Sequence, residues 1–305
     1  MKTIVKYLKD YFREIDKRVL FQVSALMAIL IVLNYTVGIE PRLSALPGFY
    51  ARVFGFTLLY FFVFAFTYWT QFLYGEPIWR QDLSFFLLLC LGPLLFGLKI
   101  SWQSVDFLLG KIDSALLQKY LQIVMEWPLK CILLLGLLLV IWKSFKIEGR
   151  VAGMNTGGSL KPYVLLLLCM IPLLSFAATQ SDFQQVYPKL RKINFMEGTQ
   201  YDHWWTKLVF ELSYGTDFLS IEAFFRGFLI LGFIKYAGKN AILPMAAFYC
   251  SIHFGKPLLE CISSYFGGII LGVIVYYSRS IWGGLLVHLG IAWLMELAGY
   301  LAAHR

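Results

Sequence analysis

From Val19 to Gly38 the chain runs without a single charged side chain. About 20 such residues span the ~30 Å hydrocarbon core of a bilayer as a helix. Similar runs follow at Phe54–Tyr74, at Leu83–Leu98 with Pro93 inside it, and at Pro162–Thr179 around Pro172. In lipid each backbone N–H and C=O must be bonded within the segment, so runs of this length read as helices. Of the 305 residues, 59% are hydrophobic and 15% charged, with mean hydropathy +0.68. A soluble domain carries about 45–50% and about 25%. The surplus apolar surface exceeds what one globular core can hide. It excludes a soluble enzyme, a secreted disulfide scaffold and a disordered regulator. The expected fold class is all-α: a polytopic helical bundle of eight to nine transmembrane helices. The net charge of +9 then reads as basic loops against anionic headgroups, with membrane lipids as partners and no nucleic acid.

The five cysteines (Cys90, Cys131, Cys169, Cys250 and Cys261) each lie in or beside an apolar run, with no CxxC pair. They read as small core residues without a disulfide framework. The first 18 residues mix Lys2, Lys6, Lys9, Arg13, Lys17 and Arg18 with Asp10, Glu14 and Asp16, the pattern of an amphipathic helix at the interface. In Ser104–Met125 the charges Asp106, Lys111, Asp113 and Lys119 interrupt leucines at helical spacing. This predicts a second helix lying on the membrane. Cys131–Trp142 is short and apolar, flanked by Lys130 and Lys143. Glu148–Lys161 is a Gly-rich polar loop, and Trp204 and Trp205 mark a span entrance. Four more spans are expected at Leu208–Tyr236, Asn240–Phe254, Cys261–Ser278 and Ser280–Ala303. Gly268 and Gly272 form a GxxxG, a close-packing signal. Two regions result: 1–160, membrane helices with amphipathic segments, and 161–305, where the unusual chemistry gathers.

That chemistry is charge in the wrong place. The spans before residue 200 are nearly free of ionisable groups. Leu208–Tyr236 contains Glu211, Asp217, Glu222 and Arg226, the next span His253, and the last His288 and Glu296. A charge at the bilayer centre costs roughly 2.5–3.5 kcal/mol on insertion scales, so an intramembrane ionisable group is a functional-site candidate. Glu222 and Arg226 are four apart, within ion-pair reach on a helix. His253, His288 and Glu222 come from three separate spans. Two imidazoles and a desolvated carboxylate can activate water. They are expected to meet in one cavity.

The same residues carry a resemblance. Ile221-Glu222-Ala223-Phe224-Phe225-Arg226-Gly227 resembles the Glu-Glu-x-x-x-Arg motif of the CAAX-protease and bacteriocin-processing family (CPBP, or Abi), commonly followed by Gly. Tyr249-Cys250-Ser251-Ile252-His253 resembles its Phe-x-x-x-His, and His288-Leu289-Gly290-Ile291-Ala292 its His-x-x-x-Asn. The order and spacing hold over about residues 205–300. The sequence departs from the pattern twice: Ile221 stands where the first glutamate would be, and Ala292 where the asparagine would be. The resemblance implies an intramembrane endopeptidase acting on a membrane-associated or lipidated substrate, with glutamate- and histidine-activated water. It assigns catalysis to Glu222, Arg226, His253 and His288, and makes 161–305 the protease-like core. It also implies a multi-pass protein of a bacterial plasma membrane. The alternative within the family is a non-catalytic relative serving as an immunity or scaffold protein.

Other chemistries fit less well. Zinc could use two histidines and a carboxylate, but the HExxH helix is absent, so no cofactor is expected. For a rhomboid-type serine site, Gly157-Gly158-Ser159 lies in a polar loop. No GxGD, P-loop or dinucleotide fingerprint occurs. A transporter would place broken spans in corresponding positions of two halves, whereas here the buried charge gathers at one end of the sequence.

Overall fold

The computed structural model describes residues 2–74, 82–102, 109–110, 112–155 and 160–303. Among them every regular element is helical. In chain order these are α1 (Lys2–Glu14), α2 (Lys17–Val37), α3 (Ile39–Ser44), α4 (Gly48–Tyr74), α5 (Leu83–Ser101), α6 (Ala115–Ser144), α7 (Lys161–Ala177), α8 (Ser181–Val186), α9 (Trp204–Glu222), α10 (Ile234–Ala237), α11 (Ile242–Ser251), α12 (Leu258–Ser278) and α13 (Trp282–Ala303). Short 3₁₀ turns lie at Val151–Gly153, Lys189–Met196 and Gly238–Ala241, and a π-helix, Ala223–Leu231, continues α9.

Among the described residues six helices are long and apolar enough to cross a membrane: α2, α4, α5, α6, α12 and α13. The pair Lys161–Ala177 and Ser181–Met196, bent by 97°, makes a seventh if counted as one span. The count of eight to nine is not confirmed, and two of the expected spans differ from simple crossing helices. The expected span Asn240–Phe254 holds a helix of only 10 residues, which at 1.5 Å per residue covers about 15 Å. Leu208–Tyr236 carries four ionisable residues and changes helical type after Glu222.

The expectation for Ser104–Met125 is also corrected. Residues 104–108 and 111 lie outside the described residues. From Ala115 the chain enters α6, a single helix of 30 residues that passes through Pro128 and ends at Ser144. The charged stretch and the apolar stretch Cys131–Trp142 are thus one element. The loop residues Gly157, Gly158 and Ser159 lie outside the described residues as well.

The chain forms two compact units, each drawn from separated stretches of sequence. The first comprises Met1–Trp102, Leu138–Gly158 and Ala223–Gly284. Its core is aromatic: Phe64, Phe85, Phe96, Phe224, Phe225 and Phe228 are all wholly buried. Phe248 of α11 meets Tyr60 at 4.9 Å, Phe225 at 5.3 Å and Phe64 at 5.7 Å between ring centres. Such pairs contribute about 0.5–1.5 kcal/mol beyond burial. Helix α1 is amphipathic as expected. Ile4 and Tyr11 are buried, Lys6, Lys9 and Arg13 exposed, and Tyr7 stacks on Tyr277 at 4.6 Å. Lys239 pairs with Glu14 and holds its carboxyl below the ordinary value. Asp16 caps α2 by accepting the Arg18 N–H at 2.8 Å, and pairing with Arg18 lowers its carboxyl to about 2.

The second unit comprises Gln103–Leu137, Ser159–Glu222 and Leu285–Arg305. Among the described residues its buried side chains include three hydrophobic clusters. Tyr120, Val124, Ile193, Met196 and Phe210 form one; Leu174, Phe183, Tyr187 and Met295 another; Tyr214, Phe218 and Ala292 a third. Buried polar bonds join its segments. Tyr120 Oη donates to the Thr206 carbonyl at 2.8 Å, and Ser213 Oγ donates to the Val124 carbonyl. Glu296 of α13 accepts the Lys189 and Leu190 N–H groups at 2.8 and 3.1 Å. It thereby satisfies donors at the start of the 3₁₀ turn that would otherwise be orphaned.

Candidate active site

Glu222 is the last residue of α9 and is wholly buried. His288 lies in the second turn of α13, 66 residues further on. Their side chains meet in the second unit, with His288 Nδ1 at 3.0 Å from Glu222 Oε1. A neutral imidazole in this pair donates Nδ1–H to the carboxylate and keeps its lone pair on Nε2. Phe218, one turn before Glu222, sets its ring edge-on to His288 at 4.9 Å. It fills the apolar side of the imidazole and limits its rotation. The pair therefore holds its polar atoms together inside an apolar frame, where a hydrogen bond is stronger than in water.

Immediately after Glu222 the helix widens into the π-form over Ala223–Leu231. Such i→i+5 turns are uncommon and occur often at functional sites. Gly227 lies inside this stretch. A Cβ at this position would stand 2.4 Å from the Ala152 carbonyl oxygen, so the 3₁₀ turn Val151–Gly153 lies directly on the bare backbone. The glycine that follows the arginine motif is thus a packing requirement here.

Arg226 is wholly buried in the first unit, with its guanidinium carbon 4.0 Å from the ring centre of Tyr249. A desolvated cation over an aromatic face gains about 2 kcal/mol or more. Tyr249 also meets the His253 ring at 4.5 Å. His253 is 8% exposed and lies in the turn just past the end of α11. Its Nδ1 is 2.8 Å from the Tyr249 carbonyl. A carbonyl only accepts, so Nδ1 carries a proton, and in the neutral imidazole the lone pair is on Nε2. Tyr249 thus orients His253 through its backbone and supports Arg226 through its ring. Sequence reasoning had read it only as the aromatic position of the Phe-x-x-x-His motif.

The structure brings Glu222 to His288, and Arg226 and His253 to Tyr249. Two of the other carboxylates in these spans, Asp217 and Glu296, bond elsewhere. Asp217 accepts from Ser220 Oγ at 3.2 Å within α9, and Glu296 is occupied by the 189–190 backbone. Ala292, at the asparagine position of the last motif, packs with Tyr214 and Phe218 in an apolar cluster. No amide is offered there. Among the described residues no group of three or more His, Cys, Asp or Glu side chains is placed to hold a metal ion.

Residues 204–294 match the family model described as type II CAAX prenyl endopeptidase, Rce1-like. The match supports the CAAX protease family. It covers α9, the π-helix, α11, α12 and the first half of α13, and includes all four candidate residues. No curated protein and no solved structure matches the chain. The family is one of proteases, so the match supports a peptide hydrolase in general terms, in an integral membrane protein.

Proposed function

We propose that the chain is an intramembrane endopeptidase hydrolysing a peptide bond in a membrane-associated or lipidated substrate, with water activated by the Glu222–His288 pair. The observation that supports this most directly is the 3.0 Å bond between a fully buried carboxylate and an imidazole on separate helices. In this reading His288 Nε2 takes a proton from water as the oxygen attacks the scissile carbonyl carbon. Glu222 holds the imidazole in that tautomer and stabilises the imidazolium that forms, the division of labour known from carboxylate–histidine pairs. The C–N bond then breaks, and His288 returns the proton to the departing amine. His253, with its Nε2 lone pair, is assigned to the same reaction by the family resemblance, and Arg226 is assigned to the site with it. No step is routed through a metal. The membrane is proposed to be a bacterial plasma membrane.

The test is cleavage of a library of lipidated and transmembrane peptides by the purified protein in liposomes. Products are expected with the wild-type chain and not with His288→Ala or His253→Ala. Absence of any product from the wild-type chain, under conditions where it is folded, would turn the reading to the non-catalytic relative.

A further inference from the structure

His253 does not sit in a regular helix. Helix α11 ends at Ser251, and the residues that follow are held to it by turn bonds, from His253 N–H to the Cys250 carbonyl at 2.9 Å and from Lys256 N–H to the His253 carbonyl at 3.0 Å. Further attachments of this turn come from the corner between α2 and α3, far outside residues 204–294. Asn34, 4% exposed, donates Nδ2–H to the Phe254 carbonyl at 2.8 Å across a sequence separation of 220 residues. Its Oδ1 accepts the Glu40 N–H at 2.9 Å. Tyr35 Oη donates to the Lys256 carbonyl at 2.5 Å. The Glu40 carboxylate lies against Gly255, where a Cβ would stand 3.0–3.2 Å from its atoms. Each of the three residues that follow His253 is therefore met by this one corner.

The arrangement is costly to keep without a purpose. Asn34 is a polar side chain near the end of an otherwise apolar span, and both ends of its amide are engaged with backbone. We infer that Asn34 is a positioning residue for His253: it fixes the turn that carries the imidazole, and so the direction of the Nε2 lone pair. Asn34 touches no reacting atom in this account. Its effect passes through Phe254 to its neighbour. The inference gives a task to the N-terminal helices, whose sequence carries no motif of its own. Its kinetic arm rests on the catalytic reading of His253; its structural arm does not.

The experiment measures both in the full-length protein. Asn34→Asp keeps the acceptor for Glu40 N–H and loses the donor to Phe254, and Asn34→Leu loses both. Tyr35→Phe removes only the hydroxyl at the rim of the same clamp and leaves the fold intact. The rate of diethyl pyrocarbonate modification at His253 is read by mass spectrometry against His288 as internal reference. In both Asn34 variants the His253-to-His288 ratio is expected to rise roughly five- to tenfold, the population change that loss of one ordinary buried hydrogen bond brings. Tyr35→Phe is expected to raise it less. A general loosening of the fold would raise both histidines together and leave the ratio flat. For a cleaved peptide, kcat is expected to fall up to about 10²-fold, the penalty of a misplaced catalytic group, with KM little changed. An unchanged ratio in Asn34→Asp overturns the inference whatever happens to turnover. Should the wild-type chain cleave nothing, the proposed function fails while the ratio still decides the positioning role.

Discussion

The two compact units are built on different principles. The first is cemented by aromatic rings that lock several helices into one core, with Phe248 touching rings from α4 and the π-helix. The second is a set of small clusters tied by single polar bonds, such as Tyr120 to Thr206 and Glu296 to Lys189 and Leu190. Their candidate residues differ accordingly. Arg226 and His253 sit on one ring and one carbonyl of Tyr249 inside dense packing. Glu222 and His288 are joined by a 3.0 Å bond, with the Phe218 ring edge-on to the imidazole. Where packing is dense, a side chain is placed by its surroundings. Where packing is sparse, the polar bond itself does the placing, and the pair is more sensitive to chemical change than to shape.

The sharpest test of that contrast is Glu222→Gln. The amide has the shape of the carboxylate but cannot stabilise an imidazolium, so turnover should fall by on the order of 10²–10⁴ with the thermal midpoint little changed. Normal cleavage by this variant would remove Glu222 from the chemistry, leaving Asp217 as the next carboxylate to examine. Large-to-small changes should show the reverse asymmetry. Phe248→Ala, in the aromatic core, should cost about 3–5 kcal/mol, read as a drop in the unfolding midpoint in detergent. Phe218→Ala, already 8% exposed, should cost clearly less in stability yet slow turnover, because it frees the His288 ring. Equal losses from the two would erase the distinction between the units.

A matched pair of glycines sharpens it further. Gly227→Ala drives a Cβ to 2.4 Å from the Ala152 carbonyl oxygen and should destabilise by about 1–3 kcal/mol, the usual cost of overpacking. Gly215→Ala, on α9 in the second unit, meets Leu289 Cδ1 at 3.4 Å, an ordinary contact. It should be neutral, or stabilising by up to about 1 kcal/mol from helix propensity. Thermal midpoints of the two proteins decide the matter. The smallest effect concerns Glu14. Lys239 holds its carboxyl below the ordinary 4.5, so the stabilisation is present above that value and fades as pH falls through the lowered one. Lys239→Met should weaken the loss of stability as pH falls below 4.5 only slightly, since both groups face solvent.

Much of this was legible in the residues. Uncharged runs announced α2, α4, α5 and α12 with small errors at the ends, because length and hydropathy are local properties. The candidate residues were legible through the cost of charge in lipid. The partnership of Glu222 with His288 was not, since a 66-residue separation is closed only by tertiary packing. The π-helix was hidden because it obeys the same apolar pattern as an α-helix and differs in its hydrogen bonds. Helix α6 was split in two on reading because Lys119 and Glu126 break its hydropathy while leaving its backbone bonding untouched. Asn34 passed unnoticed: one amide near the end of an apolar run looks tolerated until its partners are seen.

Helix α6 has a consequence of its own. Thirty residues at 1.5 Å each make a rod of about 45 Å, some 15 Å longer than the hydrocarbon it would cross. Its first ten residues hold Gln118, Lys119 and Gln122, which are poor company for acyl chains. The polar start of the rod therefore extends beyond the hydrocarbon, and only its apolar part has to match the bilayer thickness. Reconstitution in phospholipids of graded chain length should therefore show a preferred bilayer thickness that moves when a turn is removed from the apolar part of this rod and stays where it is when one is removed from its polar end.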